Sequence, residues 1–439
     1  MVGKWVSFYV PTSLKMKFIT KNNILHYSWI IVFVAVVVQG VGSAIRMSFG
    51  VMIDPLADSF GWTPGEVGLS YGLMSIISAL FSPIAGWLGT KYGARETMFI
   101  GSFLFLVGMI LTGYTQTLLG FYFSYGVLFG ISQSMLLVPI IPAVATWFRR
   151  HLGIATGIIM VSWSLGPALM IQLLAVLLKN NGWNNTFIII GIYGFVILII
   201  LLLIFKNTPE QSGRIPFGTL LGDKPLISSG ERFNQLQKSY ESYAYKTNSF
   251  WNLVNLHFLG CVGHAIILIA IIPLAISRGI NPITAAGILS TISLVSVITR
   301  FLGPILSDYF GSKIIFFISF IGQGLGVLLL INATSVMDFY IFAIIWAIPY
   351  GGEGGPFPVV NRQYYGHMPM GTIYGWQILG AGIGMAIGGM IPGVIFDLYG
   401  NYNIAIYLSA IFSIAGGVLV YFLNDTKKSL IPDWPEVET

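Results

Sequence analysis

Residues 86–95 read GWLGTKYGAR, and residues 304–313, which lie 218 positions further along the chain, read PILSDYFGSK. Each stretch follows a long apolar run and combines glycine with lysine. Glycine permits the positive φ that a tight turn between two helices needs, and basic residues mark the cytoplasmic side of a membrane. The repetition therefore predicts a membrane protein whose two halves share one arrangement of helices.

The composition agrees with a membrane location. Hydrophobic residues make up 55% of the 439-residue chain, charged residues make up 9%, and the mean hydropathy is +0.81. Soluble domains carry about 25% charged residues, so these values indicate an integral membrane protein. The single cysteine, Cys261, excludes an intrachain disulfide, and we expect it to be a buried, unreactive thiol. We expect neither a metal site nor a cofactor.

Apolar runs long enough to cross a bilayer, about 20 residues each, recur along the chain. In lipid such runs must satisfy their own backbone hydrogen bonds, so we predict helices. The predicted fold class is an all-α membrane protein with twelve transmembrane helices, here called spans 1 to 12. In order, the spans cover residues 28–53, 66–89, 97–115, 118–146, 152–178, 186–205, 251–276, 283–306, 313–332, 338–361, 371–396 and 402–423.

The distribution of basic residues predicts the orientation. Of the 22 lysines and arginines, 18 lie in the termini, in the loops after the even-numbered spans or, for Lys313, at the boundary between such a loop and span 9. By the positive-inside rule, both termini are cytoplasmic, and we expect a multi-pass protein of the cell membrane. The net charge of +6 mostly reflects this asymmetry. It therefore gives no reason to expect a nucleic-acid partner.

The longest polar break, residues 206–250, separates the spans into two sets of six. Landmarks recur across it at one offset of 218 positions, which pairs Gly61 with Gly279, Pro64 with Pro282, Gly93 with Gly311, and Gly157 with Gly375. Such an offset indicates internal duplication. The predicted segments are a cytoplasmic N-terminal segment 1–27, an N-terminal half 28–205, a linker 206–250, a C-terminal half 251–423 and a cytoplasmic tail 424–439. Parallel halves with a substrate path between them are typical of transporters.

The two repeated loops resemble the signature loop of the major facilitator superfamily. The resemblance implies gating roles for residues of both copies, namely Gly86, Lys91, Gly93, Arg95, Asp308 and Gly311. The second copy keeps the acidic residue Asp308, whereas the first has Thr90 where the family usually has Asp. This departure weakens the expectation of a charge clamp between the two halves.

Within that superfamily, two stretches look like the monocarboxylate transporter group, including its oxalate/formate exchanger branch. They are RMSFGVMIDPLADSFGW, residues 46–62, and WFRRHLGIATGIIMVSWSLG, residues 147–166. The stretch YGWQILGAGIG, residues 374–384, is similar to the corresponding exchanger segment. Ala381 stands where oxalate exchangers carry Lys, and Ser296 stands where proton-coupled relatives carry Asp. The mechanism of neither relative therefore transfers intact.

Arg46 lies near the middle of the long apolar run of span 1. An arginine at that depth costs about 2.5 to 3.5 kcal/mol on insertion scales. We therefore expect that an interaction or function of the side chain offsets this cost. We predict that it faces a central cavity and binds a carboxylate, and the family resemblance implies a basic substrate-binding residue near this place. The alternative is that its side chain snorkels to the outer head groups.

Arg300 in span 8 and Glu353 in span 10 are the other charges well inside spans. At helical rise they lie at similar depths, so we expect that they can pair if their helices face each other. In the functional interpretation, Arg300 holds the substrate anion and Glu353 exchanges a proton or competes for the arginine. In the alternative, Arg300 serves the inner loop and Glu353 forms an architectural salt bridge.

His264 in span 7 can titrate near neutrality, and we include it with Glu353 as a proton-coupling candidate. A lone histidine on an apolar helix is also a common packing residue. Further substrate-binding candidates are polar residues within spans, namely Tyr71, Gln133 and Gln377. Each can instead bond a neighbouring helix.

The chain lacks the HExxH, CxxC and P-loop motifs, so we expect neither an enzyme nor an ATP-driven pump. The sequence predicts a monomeric secondary transporter of small organic anions, above all monocarboxylates, coupled to protons. The alternatives are a carboxylate/carboxylate antiporter that exchanges a counter-anion, a carrier of a neutral solute, and a nontransporting membrane sensor.

Overall fold

The computed structural model describes residues 26–436. Residues 1–25 and 437–439 lie outside it, and with them most of the predicted N-terminal segment and the end of the tail. Within the described residues, ten helices are long and apolar enough to cross a bilayer. Spans 5 and 10 are absent from those ten, and both are nevertheless helical.

Spans 5 and 6 follow each other directly in the stretch Leu152–Ile204. Gly182, with φ 72° and ψ 170°, is not helical and separates the two helices. Span 1 continues into a short turn and a further helix, and span 4 consists of four consecutive segments. In this half, span 1 consists of Tyr27–Met47, Phe49–Met52 and Ile53–Phe60, span 2 of Pro64–Lys91 and span 3 of Ala94–Gly113. Span 4 consists of Leu118–Phe121, Tyr122–Leu128, Phe129–Leu137 and Ile140–Thr146, and spans 5 and 6 lie in Leu152–Ile204.

In the C-terminal half, span 10 is divided where Gly355 separates Val336–Gly354 from the helix Pro356–Tyr365. Proline at the start of the second helix lacks the N–H that would continue the first helix. The remaining helices of this half are Asn248–Ser277, Pro282–Phe310, Ser312–Gly326 with Val327–Leu330, Gly371–Tyr399 and Asn403–Tyr421. The linker contains the turn Glu210–Ser212 and the helix Gly230–Tyr245.

Equivalent positions of the two halves use the same local chemistry. Thr63 caps span 2 and accepts a hydrogen bond from the Glu66 N–H, and Asn281 caps span 8 in the same way, 218 positions later. Such caps satisfy N–H groups that have no partner inside the helix. Gly93 and Gly311 adopt φ 112° and φ 89°. The positive φ expected for the two signature loops is confirmed.

The halves contact each other at the end of the bundle that carries the linker, here called the linker face. Gly371 of span 11 lies against the backbone of Gly86 in span 2, and Gly153 of span 5 lies against the backbone of Pro304 in span 8. The first contact repeats the second at an offset of 218 positions. A Cβ on any of the three glycines would overlap the facing backbone, so this face is closed.

The linker and the C-terminal tail also pack together on the linker face. The Nε1–H of buried Trp434 donates to the Ile227 carbonyl at 2.9 Å, and its ring lies 5.0 Å from that of Tyr240. Arg149, in the loop between spans 4 and 5, pairs with Glu436 at 3.1 Å. The tail therefore connects the C-terminal half to the N-terminal half.

Replacing Gly371 with alanine is expected to destabilise the closed linker face. The new methyl group would overlap Thr90 Oγ1 and lie 2.6 Å from the Gly86 carbonyl oxygen. Overpacking of this kind costs about 1 to 3 kcal/mol. We expect a lower thermal unfolding midpoint for purified Gly371→Ala than for the unmodified protein.

Gly393→Ala, on the same span, is the matched control, because no atom lies within 4 Å of the added methyl group. Alanine exceeds glycine in helix propensity by up to about 1 kcal/mol. The control should therefore keep or raise the unfolding midpoint. Equal midpoints for the two variants would contradict tight packing between spans 2 and 11.

Candidate functional site

Arg46 lies in the last turn of the first helix of span 1 and is half-buried. Its Nη2 donates to Ser75 Oγ of span 2 at 3.3 Å, and its Nε is buried without a hydrogen bond. Among the described residues, Arg46 forms no ion pair with a carboxylate. The contact with span 2 favours the interior placement of this guanidinium over snorkelling.

Arg300 enters from the other half, on span 8, and is also half-buried. Its guanidinium carbon lies 4.9 Å from the ring centroid of Tyr350, a cation–π arrangement. Its Nε is buried without a hydrogen bond. In the part of the chain that the structure describes, this arginine likewise has no carboxylate partner.

Glu353 is 2% exposed and belongs to a different network. Its Oε2 lies 3.1 Å from Nδ1 of His264 and accepts a hydrogen bond from Nε2 of Gln323 at 2.8 Å. Its Oε1 occupies the space that a side chain at Gly260 would need. The carboxylate is thereby fixed among spans 7, 9 and 10.

The possible pairing of Arg300 with Glu353 is therefore wrong, although both residues lie in the expected helices. Tyr350, three residues before Glu353, faces Arg300. The ring of Tyr350 also lies 5.2 Å from the ring of His264. An aromatic ring thus takes the position beside the arginine, and the carboxylate turns to span 7.

The duplication relates the ionisable residues of the two halves. His264 lies 218 positions after Arg46, so spans 1 and 7 carry a nitrogen side chain at the equivalent place. Arg300 lies 218 positions after Ser82. Sequence reasoning missed the relation between Arg46 and His264, although the offset found from the glycines would have revealed it.

The charged side chains define a candidate central region of the bundle. Arg300 of span 8 and His264 of span 7 both contact Tyr350 of span 10, and Arg46 of span 1 contacts Ser75 of span 2. Half-buried Tyr71 stacks on Phe49 of span 1, with ring centroids 6.0 Å apart. Each half therefore contributes one arginine, with its own polar or aromatic contacts, to the candidate site.

Two predicted polar ligands have different environments. Gln133 is fully buried on span 4, and neither polar atom of its amide has a hydrogen bond within the described chain. Gln377 exchanges two hydrogen bonds with Asn361, at 2.8 and 2.9 Å, between spans 10 and 11. The Gln377 amide thus joins two helices of the C-terminal half.

The positions that depart from the relatives are both buried. The Oγ of Ser296, one turn before Arg300, lies 3.4 Å from the Oγ of Ser164. This hydrogen bond connects spans 8 and 5. Ala381 is 8% exposed on span 11. Neither position supplies a charge to the central region.

The two signature loops hold the linker face in different ways. Asp308 accepts the Gly153 N–H at 2.7 Å, which places a carboxylate at the N-terminus of span 5, where the helix dipole favours negative charge. The equivalent Thr90 donates to the Gly86 carbonyl at 3.0 Å within its own helix. A carboxylate–backbone hydrogen bond therefore joins the halves at spans 5 and 8, and Thr90 makes no equivalent hydrogen bond from span 2 within the described residues.

Lys91 and Arg95 act within the N-terminal half. The Arg95 Nε donates to the Leu202 carbonyl and its backbone N–H to Asn207 Oδ1, both at 2.7 Å. Lys91 Nζ lies 4.6 Å from the ring centroid of Trp87. These contacts tie span 3 to the end of span 6 and do not cross to the other half.

Arg362 connects the two halves, and sequence reasoning missed this role. Its Nη2 donates to the Ala145 carbonyl at 2.7 Å and its Nη1 to the Phe148 carbonyl at 3.3 Å. A cation at these helix-end carbonyls is favourable. Its position directly after predicted span 10 suggested only an ordinary basic loop residue.

A cavity of about 260 Å³ lies at the linker face, with Lys91, Arg149 and Arg362 in its wall. His367 lines it as well, and burial together with the two arginines lowers the pKa of His367 to about 3. This imidazole is neutral near pH 7. The positive charge of the cavity wall therefore comes from the lysine and the arginines.

Comparison with known proteins places this geometry in a family. A sequence model of the Major Facilitator Superfamily matches residues 28–376 and 253–437. The uncharacterized MFS-type transporter YhjX of Escherichia coli strain K12 is 23% identical over 322 residues, which cover 73% of this chain and 76% of YhjX. The oxalate:formate antiporter of Oxalobacter formigenes is 22% identical over 92% of this chain and 93% of the antiporter.

Monocarboxylate transporter 2 of Homo sapiens is 21% identical over 86% of this chain and 81% of that transporter. The solved structure of the proton:xylose symporter XylE matches with a TM-score of 0.75 at 13% identity, covering 92% of this chain and 98% of XylE. A similarity of that identity concerns the fold alone. The sequence model, however, spans well over half of the chain, and the chain therefore belongs to the Major Facilitator Superfamily.

Proposed function

We propose that this protein is a secondary active transporter of small organic anions, with monocarboxylates as the favoured substrates. One observation carries the proposal. Arg46 and Arg300, one from each half, have no carboxylate partner among the described residues, and each retains a buried Nε without a hydrogen bond. Glu353 does not neutralise them because His264 and Gln323 hold it.

Two uncompensated guanidinium groups inside a membrane favour an anionic ligand. Unpaired charge is costly in a low dielectric, and a carboxylate can accept two parallel hydrogen bonds from one guanidinium. An organic cation would be repelled at the same place. A neutral solute would leave both charges uncompensated. The lack of a carboxylate partner for the two arginines among the described residues therefore disfavours that alternative.

The relatives support carboxylates as the substrate class. One is named for oxalate and formate and another for monocarboxylates, and both align over most of this chain. The closed linker face supports alternating access, in which one half rocks against the other about a central site. An anion held by Arg46 and Arg300 together would connect the halves. We place the linker face and both termini in the cytoplasm of a cell-membrane protein, following the positive-inside rule.

We further propose that Glu353 and His264 carry the coupling proton. The two side chains are 3.1 Å apart, and Tyr350 contacts both His264 and Arg300. Ser296 leaves span 8 without the acid of proton-coupled relatives, so another acid must serve. Carboxylate exchange without a proton step is the second candidate, which the extensive alignment with the oxalate:formate antiporter favours.

The substrate class can be tested by uptake into liposomes that contain the purified protein. We expect saturable uptake of labelled small carboxylates and no uptake of organic cations, because two arginines attract the first and repel the second. Liposomes without protein are the control. Uptake of a cation, with no carboxylate carried, would overturn the proposal.

The two arginines can be tested by substitution. Arg46→Gln and Arg300→Gln should each weaken carboxylate binding at least tenfold, since a hydrogen bond to a charged group contributes about 1.5 to 3 kcal/mol. Isothermal titration of the purified variants measures this change directly.

Arg278→Gln is the matched control for these variants. Arg278 is also half-buried at the end of a span, but it donates to the backbone carbonyls of Leu330 and Ala333. Its loss should affect stability and leave the affinity for carboxylate unchanged. If both cavity variants bind as the unmodified protein does, the arginines have only architectural roles.

Glu353→Gln tests the coupling step, because glutamine resembles the protonated carboxyl group and cannot release a proton. Exchange of labelled for unlabelled substrate should continue, whereas uphill uptake driven by a pH gradient alone should disappear. Both rates can be measured in the same liposomes. A variant that still accumulates substrate on a pH gradient alone would remove Glu353 from the coupling mechanism and favour the antiporter.

A further inference from the structure

Three potential metal ligands meet in the C-terminal half. Cys261 and His264 lie three residues apart on span 7, a spacing that places two side chains on one face of a helix. Glu353 approaches them from span 10. The ligand atoms of these three residues all lie within 4.8 Å of one another.

A fourth polar group lies unsatisfied beside them. Gln323 of span 9 is 1% exposed, and while its Nε2 donates to Glu353, its Oε1 is buried and accepts no hydrogen bond within the described residues. A half-turn of the amide exchanges the positions of its oxygen and its nitrogen. The carbonyl oxygen would then face the position that its nitrogen now faces, next to the cluster.

We propose that Cys261, His264 and Glu353 bind a divalent transition metal of the zinc class, with Gln323 or water as fourth ligand. Thiolate and imidazole select such metals over magnesium and calcium, which prefer oxygen ligands. A thiolate and a carboxylate balance the two charges of the ion, so the loaded site is neutral in its buried surroundings. The thiol proton of Cys261 leaves to solvent when the sulfur coordinates.

The geometry needs only a small adjustment to accept the ion. Tetrahedral zinc with bonds of about 2.0 to 2.3 Å separates its ligand atoms by roughly 3.3 to 3.6 Å. His264 and Glu353 are already 3.1 Å apart, so the contraction concerns mainly the sulfur, by about 1 Å. Gly260, just before Cys261, leaves room for the carboxylate.

Nearby positive charge sets the limit on affinity. Arg300 contacts Tyr350, whose ring lies 5.2 Å from that of His264, so the positive charge of this arginine opposes a cation at the cluster. The guanidinium groups of Arg46 and Arg300 contact Ser75 and Tyr350, which are not among the three ligands. Metal binding itself is independent of the proposed transport function. One consequence rests on that function: a metal on Glu353 and His264 would block proton exchange.

Cobalt(II) is the probe, because a thiolate–cobalt bond gives a charge-transfer band in the near ultraviolet. Cys261 is the only cysteine in the chain, so any such band reports on this site alone. We expect the tag-free, full-length protein in detergent to bind one cobalt per chain with this band, and zinc to displace it. Cys261→Ser should remove the band, and Glu353→Gln should weaken cobalt binding at least tenfold.

His257→Gln is the matched control. His257 is buried on the same span two turns earlier, but its ring stacks on Phe357 at 3.9 Å and takes no part in the cluster. This variant should keep the band and the affinity. Thermal unfolding of each variant without metal shows that it is folded, and His264→Gln provides a second ligand variant if Cys261→Ser is not.

No charge-transfer band at saturating cobalt, or equal cobalt affinity in the unmodified protein and the ligand variants, would overturn the metal site. The two proposals fail separately. Cobalt binding with no carboxylate uptake leaves the metal site intact and rejects the transport function. Carboxylate uptake with no cobalt band does the reverse.

Discussion

The low dielectric of the bilayer interior governs where every charge in this protein can reside. Glu353 is held by an imidazole and an amide, while Arg46 and Arg300 have a hydroxyl and an aromatic ring as neighbours. The carboxylate of Glu353 is thus satisfied within the C-terminal half. The positive charge of Arg46 and Arg300 has no carboxylate partner among the described residues, and the proposed anion site follows from this division.

Close backbone packing supplies the second constraint. Glycines on spans 5 and 11 let the halves touch at the linker face, and their contacts repeat at the duplication offset of 218 positions. The repeat is symmetric in shape and asymmetric in charge. Asp308 accepts a hydrogen bond from the N-terminus of span 5, whereas Thr90 donates to the Gly86 carbonyl of its own helix. In the proposed alternating access, opening of the linker face would break the Asp308–Gly153 hydrogen bond at spans 5 and 8 and close packing at spans 2 and 11.

Much of the fold is readable from the sequence, because span length, capping residues and turn glycines are local properties. The polar break at 206–250, the caps Thr63 and Asn281 and the positive φ of Gly93 all follow from a few neighbouring residues. The breaks within spans 4 and 10 were less accessible, since they depend on where neighbouring helices compensate for lost backbone bonds.

By itself the sequence determined which charged residues lie inside spans and at what depth, because a helix rises by a constant 1.5 Å per residue. It did not determine their partners. Whether Glu353 meets Arg300 or His264, whether Gln377 meets a ligand or Asn361, and whether Arg362 reaches the other half depend on how each helix is rotated and which helix packs beside it. Those choices minimise the energy of the whole bundle at once, and only the tertiary structure decided them.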